Sequence, residues 1–370
     1  MVTRSRTEPS RGGGRTREPH IETMRGLACL ALVSFHVVGS TPQQGLELAA
    51  SDGLVRLQLM LSDMRMPLFS FISGYVFTAL AGPRKGWGQL ARGKMRRLLV
   101  PLICVGTLFW LTGEAMGRGQ MSWPETLVMP YAHFWFLQAT FVLMMALLGL
   151  NWAVARAAPR YYARDPAAVS WRNAALIGTV GAGLYLSGRL GAVQLFSLPR
   201  AAYLAPFFMG GHIVALCLKP ALAACSARGW LRIVMVLCLL GLTGWGAALA
   251  FHLAAPPEPQ IRRALSVAIG LGAALSLLVL RVHSRFLAWI GDKSFTIYLF
   301  HVFFTAATTL ALRGLVEGID PHLVYPVSLA MGLAGPVALH GVILRSRWLR
   351  FACLGIGTPV PLRRVAGATP

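Results

Sequence analysis

The sequence predicts an all-α fold, a polytopic membrane bundle of about ten transmembrane helices with both termini cytoplasmic. Three observations carry this. First, the 370 residues are 55% hydrophobic and only 13% charged, where soluble domains carry about 25% charged residues. Second, the apolar residues gather into about ten segments near the length a bilayer core of ~30 Å requires. Third, the basic residues alternate with those segments. With the N-terminus inside, 27 of the 35 lysines and arginines fall on one side of the membrane and eight on the other. Such a bias sets orientation in multi-pass proteins.

In chain order, residues 1–20 are polar and rich in Arg and Gly, and read as a disordered basic cytoplasmic tail. Residues 21–345 form the membrane domain, and 346–370 a short basic cytoplasmic tail. Tail and first apolar run together mimic a signal peptide, but cleavage would discard the helix that bears His36. Expected spans cover 21–40, 64–81, 98–112, 133–155, 174–188, 201–218, 231–253, 264–280, 294–312 and 323–344. The first three are short and extend into flanking charged turns, with the charges snorkelling. Between the first two, Leu54, Leu57, Leu61 and Met64 are spaced for an amphipathic helix. It lies on the outer surface or lengthens the second span.

A net charge of +22 in a soluble protein points to nucleic acid. Here it tracks topology, and nucleic acid is excluded as a partner. The six cysteines have no metal-ligand spacing, and no metal site is expected. The bilayer is the first partner, with placement in the plasma (inner) membrane.

Five stretches hold residues fit for chemistry. In MRGLACLALVSFHVVGS, residues 24–40, Arg25 stands at the entrance and His36 about 16 Å along the helix, near the midplane. An ionisable side chain there is costly and by default marks function. His36 is either a hydrogen-bonded structural group or a general base. Glu22 is placed to pair with Arg25. In PLFSFISGYVF, residues 67–77, Ser73 and Gly74 form a close-packing device, or Ser73 is a nucleophile if a base lies beside it. GKMRRLLVP, residues 93–101, carries Lys94, Arg96 and Arg97, a cytoplasmic positive cluster or a cradle for phosphates. AHFWFL, residues 132–137, with His133 and Trp135, is an aromatic belt or a platform for a sugar ring. DKSFTIYLFH, residues 292–301, sets Tyr298 and His301 where they share a pocket with His36.

Together these residues resemble the acyltransferase 3 family, membrane enzymes that acylate surface glycans, lipid-linked sugars and secreted metabolites. The resemblance rests on Arg25–x10–His36, FISGYVF, the basic pair before RLLVP, HFWFL and SFTIYLFH, and runs from about residue 22 to 344. It implies O-acylation, most often O-acetylation, with cytosolic acyl-CoA, expected to be acetyl-CoA, as co-substrate. The acceptor is a carbohydrate or lipid-linked sugar on the far side, of the envelope or of an exopolysaccharide. By position, His36 is similar to the family's essential histidine and Arg25 to its partner arginine. The family's Arg–x–x–Arg falls on Lys94 and Arg97. Lysine lacks arginine's bidentate fork, so either it suffices for a phosphate or Arg96 shares the task. The chain is expected to end soon after the tenth span, which sets aside members with a fused esterase domain. The competing functions are a sugar or lipid transporter or flippase subunit of a polysaccharide export system, and a non-catalytic scaffold of a polysaccharide machine.

Overall fold

Sixteen α-helices account for nearly all of the computed structural model, which describes residues 18–39, 45–80, 86–119, 121–253, 255 and 257–357. No strand occurs among the described residues. In order they are α1 (Pro19–Val38), α2 (Gly53–Met60), α3 (Ser62–Leu80), α4 (Trp87–Ala115), α5 (Trp123–Val128), α6 (Trp135–Ala157), α7 (Pro159–Arg164) and α8 (Pro166–Ser187). Then follow α9 (Leu198–Ile213), α10 (Lys219–Ala227), α11 (Gly229–Ala250), α12 (Pro259–Leu280), α13 (Arg285–Asp292), α14 (Ser294–Leu315), α15 (Pro321–Arg345) and α16 (Arg347–Leu354). A π-helical turn, Val214–Leu218, fuses α9 and α10.

Among the described residues, eight helical runs are long and apolar enough to cross a membrane: α1, α4, α6, α9 with α10, α11, α12, α14 and α15. The chain is a multi-pass membrane protein. The two further predicted spans are also helices, α3 and α8, of 19 and 22 residues. Helices are the form a chain takes in lipid, because each satisfies its own backbone groups. The outward faces are apolar in keeping. On α11 only Ala250 is buried, while Trp230, Ile233, Leu237 and Leu240 are each more than 60% exposed.

The structure moves several predicted boundaries. Most of the 1–20 tail lies outside the described residues, but Pro19 and His20 belong to α1. Proline presets the first helical φ and its missing N–H is no loss there. The third span starts eleven residues early, at Trp87, so Lys94, Arg96 and Arg97 sit within a continuous helix. The amphipathic stretch is a separate helix, α2, capped by Asp52 Oδ1 accepting from the Leu54 N–H at 2.8 Å. In the 346–370 segment, residues 347–354 fold as α16 and pack against α4 and α15. Trp348 and Phe351 face outward there.

Between lipid-facing helices the hydrophobic effect drives little, and close van der Waals contact of small residues takes its place. The α3–α9 contact is of this kind. A Cβ on Gly74 would lie 1.8 Å from the Phe208 carbonyl oxygen, and one on Gly211 2.0 Å from that of Phe71. Gly26 on α1 and Gly291 on α13 meet the facing backbones equally closely. The predicted packing role of the Ser73–Gly74 pair therefore holds for Gly74. Gly74→Ala is expected to cost about 3 kcal/mol or more, beyond ordinary overpacking. Size-exclusion chromatography in detergent should show the loss as aggregated or missing protein, and a monodisperse variant at normal yield would refute it.

Candidate active site

Four elements converge on one face of α1. Its first turns supply Glu22 and Arg25, and its last turns supply Phe35 and His36. α14 lies alongside and brings Tyr298 and His301. The residues just before α6 bring His133, turned inward after Ala132, whose φ of 42° is unusual for a residue with a Cβ. α4 brings the basic cluster.

The three histidines meet. The His36 ring lies 4.8 Å from that of His301 and 6.0 Å from that of His133, and the latter two are 5.1 Å apart. His301 is fully buried, His133 nearly so, and His36 half-buried. The backbone sets the protons. His301 Nδ1 lies 2.9 Å from the carbonyl oxygens of both Ile297 and Tyr298. A carbonyl only accepts, so Nδ1 carries the hydrogen and Nε2 is left as a lone pair. His133 Nε2 donates to the Leu299 carbonyl at 3.3 Å, leaving Nδ1 as its lone pair. Both lone-pair nitrogens are buried and have no partner. His36 thus stands beside two acceptors held in place by the α14 backbone.

A cavity of about 860 Å³ opens at the other end of the same helices. Ligand sites for cofactor-sized molecules run to about 1,000 Å³. Arg25, Lys94, Arg97, Lys219 and Lys293 line it, with Glu18, Glu22 and Asp292 among them. Its inner wall is apolar and includes Phe69, Ile72, Phe136 and Leu137. Glu18 and Ile356, near the two ends of the described chain, both border this basic end. Glu18 accepts hydrogen bonds from Tyr75 and Lys219. Burial acts against its charge, but those two donors outweigh it and hold the carboxyl below its ordinary range.

The cavity reaches Tyr298. This buried side chain lines it, while its hydroxyl donates to the His133 carbonyl and its ring lies 5.6 Å from the imidazole of His133. None of the three histidines lines the cavity itself. Tyr298 therefore lies both on the wall of the basic chamber and against the histidine cluster. Tyr298→Phe leaves the His133 carbonyl with only the long 3.5 Å bond from the Phe136 N–H, with an expected cost of about 1–3 kcal/mol. A thermal midpoint equal to that of the parent protein would rule this out.

The predicted residues separate accordingly. His36, His133 and His301 are together, with Tyr298 against them. Arg25 lies in the basic cavity, its Nη1 3.0 Å from Glu22 Oε2, as its eleven-residue distance from His36 requires. Lys94, packed 4.9 Å from the Phe77 ring centroid, and Arg97 also face the cavity. Arg96 does not. Its Nε donates to the Gly355 carbonyl at 2.9 Å and ties the end of α16 to α4. At 100° per residue, positions 94 and 97 share a helix face that 96 does not, so the phosphate role expected for Arg96 is corrected to a structural one. Ser73 lines the cavity, but no histidine bonds to it among the described residues. Trp135 sits at the start of α6 with the Arg200 guanidinium 4.8 Å above its ring. Sequence reading missed His340, which lines the cavity and bonds through Nδ1 to Thr296 Oγ1 at 2.7 Å. It has no motif around it.

A family model described as an acyltransferase domain matches residues 19–341. The chain belongs to the acyltransferase 3 family. No curated protein and no solved structure matches it. Membership makes the chain a membrane acyltransferase. Imidazole is chemically able to act as a general base, and the basic lining of the cavity suits an anionic ligand.

Proposed function

We propose that this membrane acyltransferase transfers an acetyl group from acetyl-CoA to a hydroxyl of an envelope or exopolysaccharide carbohydrate. The observation that carries the reading is that one residue, Tyr298, lines the basic cavity and touches the histidine cluster. The excess of basic residues puts the cavity end in the cytosol. That agrees with a ten-span bundle in the plasma (inner) membrane whose ends both lie inside.

The donor's phosphates sit against Lys94 and Arg97, with Arg25 at the rim. The pantetheine arm runs along the apolar wall toward Tyr298. Thr140 lines that wall with a buried hydroxyl that has no partner, which suits a pantetheine amide. The acceptor comes from the opposite side, where His36 is half-buried yet outside the cavity. One imidazole nitrogen of His36 takes the hydroxyl proton as the oxygen attacks the thioester carbonyl. The new C–O bond forms, the C–S bond breaks, and the leaving thiolate of CoA ends with the proton that His36 took from the hydroxyl, which returns His36 to its neutral form. In between, the imidazolium formed on His36 donates to the lone pair of His301 Nε2, which stabilises it. Direct transfer is favoured over an acyl-enzyme, because among the described residues no base is hydrogen-bonded to Ser73.

The test is purified protein in lipid nanodiscs. CoA is expected to raise its thermal midpoint, and acetyl-CoA to be turned over with release of free thiol. Mass spectrometry of surface glycans from a deletion strain should show the loss of an acetyl-sized mass. A chain that neither binds CoA nor consumes acetyl-CoA would sink the reading.

A further inference from the structure

Arg65, in the first turn of α3, was counted in the sequence as one of eight charges on the outer side. It is not a surface charge. It is 9% exposed, its guanidinium lies 3.8 Å from the centroid of the Phe35 ring, and its buried Nη1 has no hydrogen-bond partner. Phe35 in turn stands edge-on to His36, with ring centroids 5.1 Å apart. One aromatic ring thus separates an unmet cationic donor from the centre of the histidine cluster.

A buried guanidinium is expensive unless a carboxylate and hydrogen bonds compensate it, and a cation–π contact offsets only part of that cost. Two other arginines at this end of the bundle have carboxylate partners: Arg262 lies 2.9 Å from Asp63, and Arg313 lies 3.2 Å from Glu47. Arg56 resembles Arg65 in having a buried nitrogen, Nε, without a partner, but its ring contact is with Phe251, not with a neighbour of His36. Asp63 is only two residues from Arg65, but positions two apart on a helix do not face each other. Among the described residues no carboxylate pairs with Arg65. The place beside His36 therefore offers a cationic donor that is desolvated and unmet.

We propose that Arg65 is an anion subsite of the acceptor pocket. The acceptor carries a carboxylate or phosphate that Nη1 binds, while a nearby hydroxyl meets His36. The inference rests on the acyltransferase reading and narrows its acceptor from carbohydrates in general to anionic ones. The negative group comes either from an acidic sugar or from the phosphate of a lipid carrier.

The experiment measures thermal stabilisation of the full chain in nanodiscs by methyl glucuronoside, farnesyl phosphate and neutral methyl glucoside. The proteins are the parent, Arg65→Gln, Arg65→Lys and a Lys94→Gln, Arg97→Gln double variant that removes the two cations assigned to the donor's phosphates in the other cavity. At least one anionic probe is expected to stabilise the parent and the double variant, with no response to the glucoside. Arg65→Gln should weaken that response about 10- to 100-fold, the worth of one charge-assisted hydrogen bond, and Arg65→Lys should restore part of it. A response to the glucuronoside alone assigns the anion to a sugar, and one to farnesyl phosphate alone assigns it to a carrier. An anion response that survives Arg65→Gln, an equal response to the glucoside, or no anion response in the parent overturns the proposal. CoA serves as the internal control. If it stabilises both the parent and Arg65→Gln, the variant is folded and the acyltransferase reading stands whatever the anions do. If CoA fails on the parent, that broader reading fails first.

Discussion

Replacing His36 with alanine is expected to lower acetyl transfer by about 10²–10⁴-fold, the usual worth of general-base assistance, while CoA still binds. The split follows from the layout. His36 lies about 16 Å along α1 from Arg25, outside the cavity that holds the basic residues, so its loss leaves the donor seat untouched. His36 is the least buried member of the cluster and so the one best placed to meet an incoming hydroxyl, whereas His301 is sealed and His133 nearly so. His301→Gln should cost less. It keeps a polar group beside His36 but removes the lone pair fixed by the Ile297 and Tyr298 carbonyls. Thiol release from acetyl-CoA, with midpoint shifts by CoA measured in parallel, separates chemistry from binding. Full turnover by His36→Ala would move the base to another residue.

The second large effect is expected at the donor seat. The Lys94→Ala, Arg97→Ala double variant should raise the KM for acetyl-CoA about 100-fold or more, since each charge-assisted contact to a phosphate contributes about 1.5–3 kcal/mol. The effect on kcat should be small, because these contacts are made before and during the reaction alike. Arg96→Ala is the informative control. It lies between the two in sequence and carries the same charge, so a general loss of positive potential would weaken binding in all three. The geometry instead gives Arg96 a single bond to Gly355 at the end of α16. Its loss should lower the thermal midpoint and leave KM where it was. A KM for Arg96→Ala as high as that of the double variant would mean that field, not position, binds the donor.

Much of this protein was legible before any coordinates. The helical membrane bundle follows from composition and from the alternation of basic clusters with apolar runs, because lipid admits few backbone structures. Every predicted span coincides with a helix, although the third begins eleven residues early. Apolarity reports where a chain meets lipid, and a helix does not stop where apolarity does. The motifs around His36, Lys94 and Arg97 pointed to the family, and the family match over residues 19–341 bears the family out. The 94–97 spacing also contained the demotion of Arg96, since helix geometry alone puts 96 on another face.

Which residues share a space was not legible. His133 read as part of an interfacial aromatic stretch, yet the turn at Ala132 carries it into the histidine cluster. Arg65 read as an outer-side charge, yet it is buried on Phe35. His340 and Thr296 come from different helices and meet only where α14 and α15 pack. The amino-acid sequence by itself determined the helices, their membrane setting and the chemical types available along them, because these depend on local hydropathy, charge and helical periodicity. Only the tertiary structure decided that Tyr298 lies both on the wall of a basic cavity and against the histidine cluster, and that one arginine beside that cluster lacks a counter-charge. Those facts depend on how helices distant in sequence rotate and cross, which is set by backbone contacts such as Gly74 on Phe208 and Gly26 on Leu287.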